Sequence, residues 1–254
     1  MRLMSLILAA NSLQFAMEES NPAGKIVLAA LFIGSIFSWS VMITKLRTVH
    51  HARKQSGKFL DLFRSNRAPL NIFEARLRFE GAPVFAVYKA GCKEMTYQLL
   101  GSTDVDETFK ARLDDAQKIT PAQMRVVTSA MERAVGETAL KIESQMILLA
   151  TAVSGAPFLG LLGTVWGVMD TFTGVAQAGS ATLAAMAPGV AGALITTVVA
   201  LLVAIPAMFG YNFLVTSIRG ITVQMDNFSA ELASEFEHRY VDHGTRSLPF
   251  VPHL

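Results

Sequence analysis

The chain has 254 residues, of which 52% are hydrophobic and only 17% are charged, with a formal net charge of +2. A soluble domain carries about a quarter charged residues, so this composition is unusual for one. The single cysteine, Cys92, excludes an internal disulfide and a thiolate metal cluster. Without a zinc-finger or RNA-binding motif, the modest charge does not indicate a nucleic-acid partner.

The deficit of charge is confined to part of the chain. Residues 45–133 hold sixteen of the 22 lysines and arginines, whereas between Ile142 and Arg219 only Glu143 and Asp170 carry charge. A region so poor in charge and so rich in glycine, alanine and threonine predicts transmembrane helices that pack closely. The sequence contains no Ser/His/Asp set, no paired catalytic carboxylates and no phosphate-binding glycine loop, so no enzyme is predicted.

The first two predicted elements are an N-terminal segment and a membrane span. The apolar run in residues 1–23 is too short to cross a bilayer. These residues predict an amphipathic segment that lies on the outside-facing surface of the membrane. A cleaved signal peptide is the alternative for this segment. Residues 24–46 are long and apolar enough to form transmembrane helix 1.

Residues 47–137 predict a helical cytoplasmic loop. Asp104-x-x-Glu107 and Thr120-Pro121-x-Gln123 both have the pattern of a helix start, in which a capping side chain is followed three residues later by its partner. No strong stop pattern lies between Pro121 and Gly155, so the second span, 138–174, is predicted to continue a helix that begins in the cytoplasm.

The rest of the chain predicts a short loop over 175–187, transmembrane helix 3 over 188–217 and a cytoplasmic helix and tail over 218–254. The tail has apolar residues at helical spacing, namely Ile221, Met225, Phe228, Leu232 and Phe236. The predicted fold is therefore all-α, with three transmembrane helices of which the last two extend into a cytoplasmic helical bundle.

The distribution of lysine and arginine predicts the orientation in the membrane. Positive residues collect in cytoplasmic loops, which here places the basic region 47–137 and the C-terminal tail in the cytoplasm. The N-terminus and the 175–187 loop, which has no lysine or arginine, are predicted to lie outside.

Small residues dominate the second and third spans. Glycine inside a membrane helix lets two backbones approach closely, and a packing role is predicted for Gly160, Gly163, Gly167, Gly189 and Gly192. The spacing of the glycines in the second span favours tight packing, and a pore-lining helix that approaches a partner helix closely is the alternative.

Hydroxyl and acidic residues in these spans are candidates for a proton pathway. Thr164, Thr196 and Thr197 either bond back to the carbonyl one turn earlier or line a path. In the third span the small residues at 189, 193, 197, 200 and 204 share one stripe, which suits a wet or partner-lined interior. Asp170 ends the second span and is either a plain helix-end charge or a charge at the outer mouth of the path.

These motifs resemble one known family. Residues 160–169 (GLLGTVWGVM), Ala187-Pro-Gly-Val-Ala, Ala204-Ile-Pro-Ala and Tyr211-Asn212 are similar to the ExbB/TolQ/MotA proton-channel family, closest to its ExbB and TolQ branch. The resemblance implies a bacterial inner-membrane homo-oligomer, a pentamer, around a dimer of a single-span ExbD- or TolR-like partner that carries a protonatable aspartate. Protons are then the coupling ion, with no other cofactor, and a TonB- or TolA-like transducer is a further partner. Channel-lining threonines of the family match Thr164 and Thr197.

One position departs from the family pattern. Where ExbB and TolQ proteins have a glutamate, three residues after the Pro-Gly glycine of span three, this chain has Gly192. A relay through this chain therefore lacks a carboxylate at mid-membrane. The sequence leaves two functions open: a proton-driven motor subunit that uses its partner's aspartate, and a structural membrane scaffold that no longer conducts.

Overall fold

The computed structural model describes residues 21–66, 68–179 and 182–242, and within these ranges the chain is helical with no strand. The only pairing of extended backbone there is an isolated bridge between Ile119 and Val241. The helices are α1 (Pro22–Ser65), α2 (Asn71–Glu74), α3 (Pro83–Leu100), α4 (Phe109–Asp115), α5 (Pro121–Glu143), α6 (Met146–Ala178) and α7 (Leu183–Tyr240). The predicted all-α class is confirmed.

The chain forms two compact units. The first comprises Met1–Leu46 and Ser144–Val215, and the second comprises Arg47–Glu143 and Thr216–Leu254. Three of the described helices, α1, α6 and α7, are long and apolar enough to cross a membrane. Helix α1 continues past the predicted end of the first span. With 44, 33 and 58 residues, all three of these helices are longer than a bilayer requires. Residues 1–20, which include most of the predicted amphipathic segment, lie outside the described residues.

Asn21 and Pro22 start the first apolar helix. The Asn21 side-chain oxygen accepts a hydrogen bond from the Gly24 backbone N–H at 2.7 Å, which satisfies one of the free donors at the helix start. Proline follows at the first helical position, where its missing N–H costs nothing. The local sequence therefore accounts for where α1 begins.

The predicted continuous helix from Pro121 into the second span is wrong. Helix α5 ends at Glu143 and α6 begins at Met146, because Gln145 adopts a left-handed conformation with φ of 68°. A non-glycine residue in this region costs about 1–2 kcal/mol. Lys45, which is almost fully buried, donates a hydrogen bond to the Ser144 hydroxyl at 3.3 Å, and this contact stabilises the chain at the break.

The two predicted helix starts of the cytoplasmic region have opposite outcomes. The start at Thr120 is confirmed: the Gln123 N–H donates to Thr120 Oγ1 at 3.3 Å, and the Thr120 N–H donates to Gln123 Oε1 at 2.9 Å. The start at Asp104 is wrong, since α4 begins only at Phe109. There Asp106 accepts hydrogen bonds from the N–H and hydroxyl of Thr108, so the acid that organises this turn is two residues later in the chain.

The second unit is built around the C-terminal part of α7. Its predicted apolar face is confirmed, because all five residues of the pattern are at most 1% exposed. Phe228 from this face contacts the rings of Phe59 and Phe63 in α1, with centroids 5.5 and 5.1 Å apart. Edge-to-face contacts of this kind add to the gain from burying the rings.

Tyr88 ties α2 and the turn before it to this aromatic cluster. Its ring is fully buried with its centroid 5.2 Å from that of Phe59, and its hydroxyl donates to the Pro69 carbonyl at 2.8 Å. The same hydroxyl accepts from the Phe73 N–H at 2.9 Å. Burial raises the pKa of Tyr88 far above its usual range, so the hydroxyl stays protonated and remains a donor.

Replacing Tyr88 by phenylalanine is expected to destabilise the second unit. The change leaves the Phe73 N–H and the Pro69 carbonyl without their partner, which costs about 1–3 kcal/mol when the groups stay buried. Thermal unfolding in detergent checks this, with Tyr97→Phe as the matched control because Tyr97 is 53% exposed. Equal unfolding temperatures for the two variants would contradict the structural role of the Tyr88 hydroxyl.

Candidate functional site

The glycines of α6 form a face that packs against α7 of the same chain. Gly160, Gly163 and Gly167 are all buried. A Cβ atom at Gly163 would lie 2.5 Å from Thr196 Oγ1, and one at Gly167 would lie 2.6 Å from the Cβ of Ala193. These positions therefore have room for hydrogen alone, and the close approach that the sequence left open takes place within one chain.

The tightest of these contacts is at Gly160. A Cβ there would overlap the Cβ of Ala200 and lie 3.0 Å from both the Thr196 carbonyl oxygen and the Thr197 Cα. Since two of these atoms belong to the backbone of α7, no side-chain rotation relieves the overlap. Gly160 therefore sets the separation of the two helices at this level.

The three candidate threonines meet around Gly160. Thr196 is fully buried, and its hydroxyl lies 3.0 Å from the Gly160 carbonyl oxygen and 2.7 Å from that of Ala193. Thr164 is half-buried and donates to the Leu161 carbonyl at 2.7 Å, with the Gly160 carbonyl at 3.5 Å. We call Gly160, Thr164, Thr196 and Thr197 the threonine cluster.

Thr197 differs from its two companions in having a free hydroxyl. Among the described residues of the first unit, Thr197 Oγ1 is the only buried side-chain oxygen or nitrogen that lacks a hydrogen-bond partner. The residue as a whole is half-buried. A buried hydroxyl without a partner costs free energy, so Thr197 Oγ1 is the buried polar atom of this unit whose hydrogen bonds the described chain leaves unmade.

The small-residue stripe of α7 is largely covered within the chain. Ala193, Ala200 and Ala204 are at most 5% exposed, and the last two belong to a core cluster with Leu31 of α1. Of the stripe, Gly189 and Thr197 are the positions that remain half-buried. Most of the stripe therefore serves packing, and Thr197 is its one polar side chain.

Asp170 lies at the same end of the first unit as the start of α1. Its carboxylate accepts a hydrogen bond from the Asn21 side-chain amide, and the residue is exposed. One amide thus caps α1 through its oxygen and contacts α6 through its nitrogen. A Cβ at Gly189 would overlap the Thr171 hydroxyl, which places α6 and α7 in close contact beside Asp170.

Two contacts of this unit were not predicted from the sequence. The Asn21–Asp170 pair joins residues 149 positions apart, and the Lys45–Ser144 pair joins residues 99 apart. The Asn21-Pro22 dipeptide is a recognisable helix start, but nothing in it indicates which carboxylate the amide reaches. Gly192, where the resemblance implies a glutamate, is buried in the fold.

The comparisons with known proteins agree with this architecture. A family model described as the MotA/TolQ/ExbB proton channel family matches residues 102–227. The Tol-Pal system protein TolQ of Haemophilus influenzae is 31% identical over 211 residues, which cover 83% of this chain and 87% of that protein. The chain belongs to the MotA/TolQ/ExbB proton channel family.

Further relatives are named TolQ or ExbB, the two branches of the family that the motifs resemble. The TolQ protein of Pseudomonas aeruginosa is 32% identical over 74% of this chain and 76% of its own length. The biopolymer transport protein ExbB of Pseudomonas putida is 34% identical over 82% of this chain, which spans 58% of that relative's length. The resemblance predicted from the motifs is confirmed. The family and the three apolar helices support an inner-membrane protein with a proton-channel, energy-transducing role.

Replacing Gly160 by alanine is expected to destabilise the packing of α6 against α7. The added methyl group overlaps Ala200 and presses on the α7 backbone, and such overpacking costs about 1–3 kcal/mol. The matched control is Gly174→Ala, in the same helix, where a Cβ meets no atom within 4 Å. Thermal unfolding of the chain in detergent checks this, and a Gly160 variant as stable as the control would contradict the contact.

Proposed function

We propose that the chain is the channel subunit of an inner-membrane complex that couples proton flow to mechanical work on the cell envelope. Support comes from the family match and from relatives whose names describe biopolymer transport and the Tol-Pal system. One proton moving across 100 mV releases about 2.3 kcal/mol, which is enough to drive a conformational step in a helical bundle.

The free hydroxyl of Thr197 is the observation that carries this proposal. A hydroxyl both donates and accepts hydrogen bonds, so it can hand a proton between water and a neighbouring acid. Thr164 lies one turn from Gly160 and offers a second, half-buried hydroxyl close by. Thr196 completes the proposed lining, although its hydroxyl contacts the carbonyls of both helices.

The protonatable acid of the proposed path belongs to another chain. Between Glu143 and Asp226 the only carboxylate is Asp170, which is exposed at the end of the predicted second span. The family pattern supplies the missing group through a dimer of single-span, ExbD- or TolR-like partners enclosed by a pentamer of this chain. A TonB- or TolA-like protein then receives the work.

The proposed orientation follows the positive-inside rule. The basic region 47–137 and the C-terminus lie in the cytoplasm, and the N-terminus and the connection between α6 and α7 lie in the periplasm. Asp170 is then near the outer water, where its negative charge attracts protons to the mouth of the path. Its contact with Asn21 keeps the carboxylate in place beside the start of α1.

A non-conducting scaffold is the second candidate function, and Gly192 is the observation that favours it. This buried glycine replaces the one acid that the resemblance places in the third span. A chain that retains the packing of α6 on α7 keeps the fold even when it conducts no protons. Measured proton flux through the assembled complex separates the two candidates.

Thr197→Val is expected to lower proton flux through the complex without reducing its assembly. Valine has nearly the same shape as threonine but lacks the hydroxyl, and losing one hydrogen-bonding step is worth roughly tenfold in rate. The measurement is proton uptake into liposomes that contain the chain and its co-purified single-span partner.

The matched control for this variant is Thr173→Val. Thr173 is exposed on α6 and its hydroxyl bonds back to the Met169 carbonyl at 2.9 Å. Its removal should leave the flux unchanged. If the wild-type complex conducts protons and Thr197→Val conducts equally well, the proposed role of this hydroxyl is excluded. If the wild-type complex assembles but conducts no protons, the scaffold function is favoured.

Gly192→Glu is expected to assemble with the partner and to conduct at least as well as the unaltered chain. The change restores the family's acid, and a carboxylate that faces a wet path is tolerated where one facing lipid is not. Gly192→Gln is the control of equal size without charge. Failure of both variants to assemble would show that position 192 is needed for close packing and that the acid has no place there.

A further inference from the structure

A cavity of about 550 Å³ opens in the second unit, between the end of α2 and the start of α3. Its volume is in the range of pockets that bind small organic molecules. The walls combine three phenylalanines with three cations, namely Phe73, Phe79, Phe85, Arg76, Arg78 and Lys89. None of these residues belongs to the threonine cluster, so the cavity has no part in the proposed proton path.

The aromatic wall of the cavity is held in place from behind. The rings of Phe79 and Phe85 each lie with their centroids 5.4 Å from that of Phe59 in edge contacts, and Phe59 is fully buried. Phe79 and Phe85 are themselves only half-buried, with centroids 5.5 Å apart. The cavity therefore presents preorganised aromatic surface, which lowers the entropy lost when a flat ligand binds.

The cations around the cavity outnumber the acids. Glu80 is the only carboxylate among the lining residues. In the part of the chain that the structure describes, Arg78 and Lys89 make neither an ion pair nor a side-chain hydrogen bond, and Arg76 donates to the Val105 carbonyl oxygen. With three cations and one carboxylate, the lining has an excess of positive charge that no ion pair among the described residues neutralises.

The loop that carries two of these cations has an uncommon backbone. Arg76 adopts φ of 52°, which is rare for a residue with a side chain. Gly81 adopts φ of 78°, and a Cβ there would lie 2.7 Å from His51 Cδ2. A positive φ is ordinary for glycine, whereas non-glycine residues such as Arg76 in this region concentrate at functional sites. The same loop brings Arg78 and Phe79 to the cavity.

We propose that this cavity binds a small organic phosphate with a flat aromatic body, of the nucleotide class. The body stacks on one of the two rings, Phe79 or Phe85, and meets the other, inclined by 58° to the first, with its edge. The phosphate accepts charge-assisted hydrogen bonds from Arg78 and Lys89. Inorganic phosphate alone leaves the aromatic surface uncovered. An acidic peptide satisfies the cations but lacks the flat ring system that the aromatic wall accommodates.

Calorimetric titration of the full chain in a neutral detergent tests this with three probes. ADP has both parts of the proposed ligand, adenosine has only the flat body and inorganic phosphate has only the anion. ADP is expected to bind at least about tenfold more tightly than either fragment, since each fragment loses one set of contacts. Phosphate that binds as tightly as ADP, or ADP that does not bind, would overturn the proposal.

Paired variants show whether the named cations are responsible. Arg78→Gln combined with Lys89→Gln is expected to weaken ADP binding at least about tenfold, and the unfolding temperature should not change because both side chains are exposed. The matched control is Lys58→Gln combined with Arg125→Gln, which removes two exposed cations of the same unit that do not line the cavity. If the control pair weakens ADP binding equally, the effect comes from general surface charge and the proposed binding site is refuted.

An acidic peptide serves as the competing probe in the same titrations. Hexaglutamate should bind more weakly than ADP and should not displace it. If the peptide binds more tightly than ADP and the Arg78/Lys89 variant abolishes that binding, the cavity is a site for a protein segment. This result would overturn the nucleotide proposal. Retained ADP affinity in the variant Phe79→Leu would likewise contradict the stacking on the aromatic wall.

Discussion

The approach of α7 to Gly160 is the contact on which the first unit depends. A glycine at this position lets the Thr196 hydroxyl reach the carbonyl oxygen of the neighbouring helix at 3.0 Å, and it leaves no room for a methyl group. Between apolar helices in lipid, close backbone packing and interhelical hydrogen bonds supply the attraction that the hydrophobic effect supplies in water. The positions of Thr164 and Thr197 follow from this register.

The same packing explains how the apolar helices of the first unit fold with almost no charged residues. A carboxylate buried between membrane helices is costly unless it is solvated or paired, and the described residues of the first unit place none there. Hydroxyl groups are less costly because a threonine bonds back to its own helix, as Thr164 and Thr171 do. The third span accordingly carries no carboxylate, and its buried position 192 is a glycine.

The sequence predicted those elements whose cause is local. The apolar period over Ile221–Phe236 and the capping box at Thr120 depend on residues three or four apart, and both are present in the structure. The break at Gln145 was not predictable, because neither glycine nor proline marks it and a left-handed glutamine is stabilised by its surroundings. The partner of Asn21 also depends on tertiary packing, since Asp170 is 149 residues away in the chain.

Thr196 and Thr197 show where spacing alone fails to distinguish roles. Neighbouring residues on a helix point about 100° apart, and the two hydroxyls have different surroundings although both residues lie near Gly160 of α6. The single proton of Thr196 lies between two carbonyl oxygens, at 2.7 and 3.0 Å, and its transfer would break the contact that sets the helix separation. Thr197 Oγ1 has no hydrogen-bond partner among the described residues. One hydroxyl therefore joins the two helices, and the hydroxyl of its neighbour makes no hydrogen bond within the described residues.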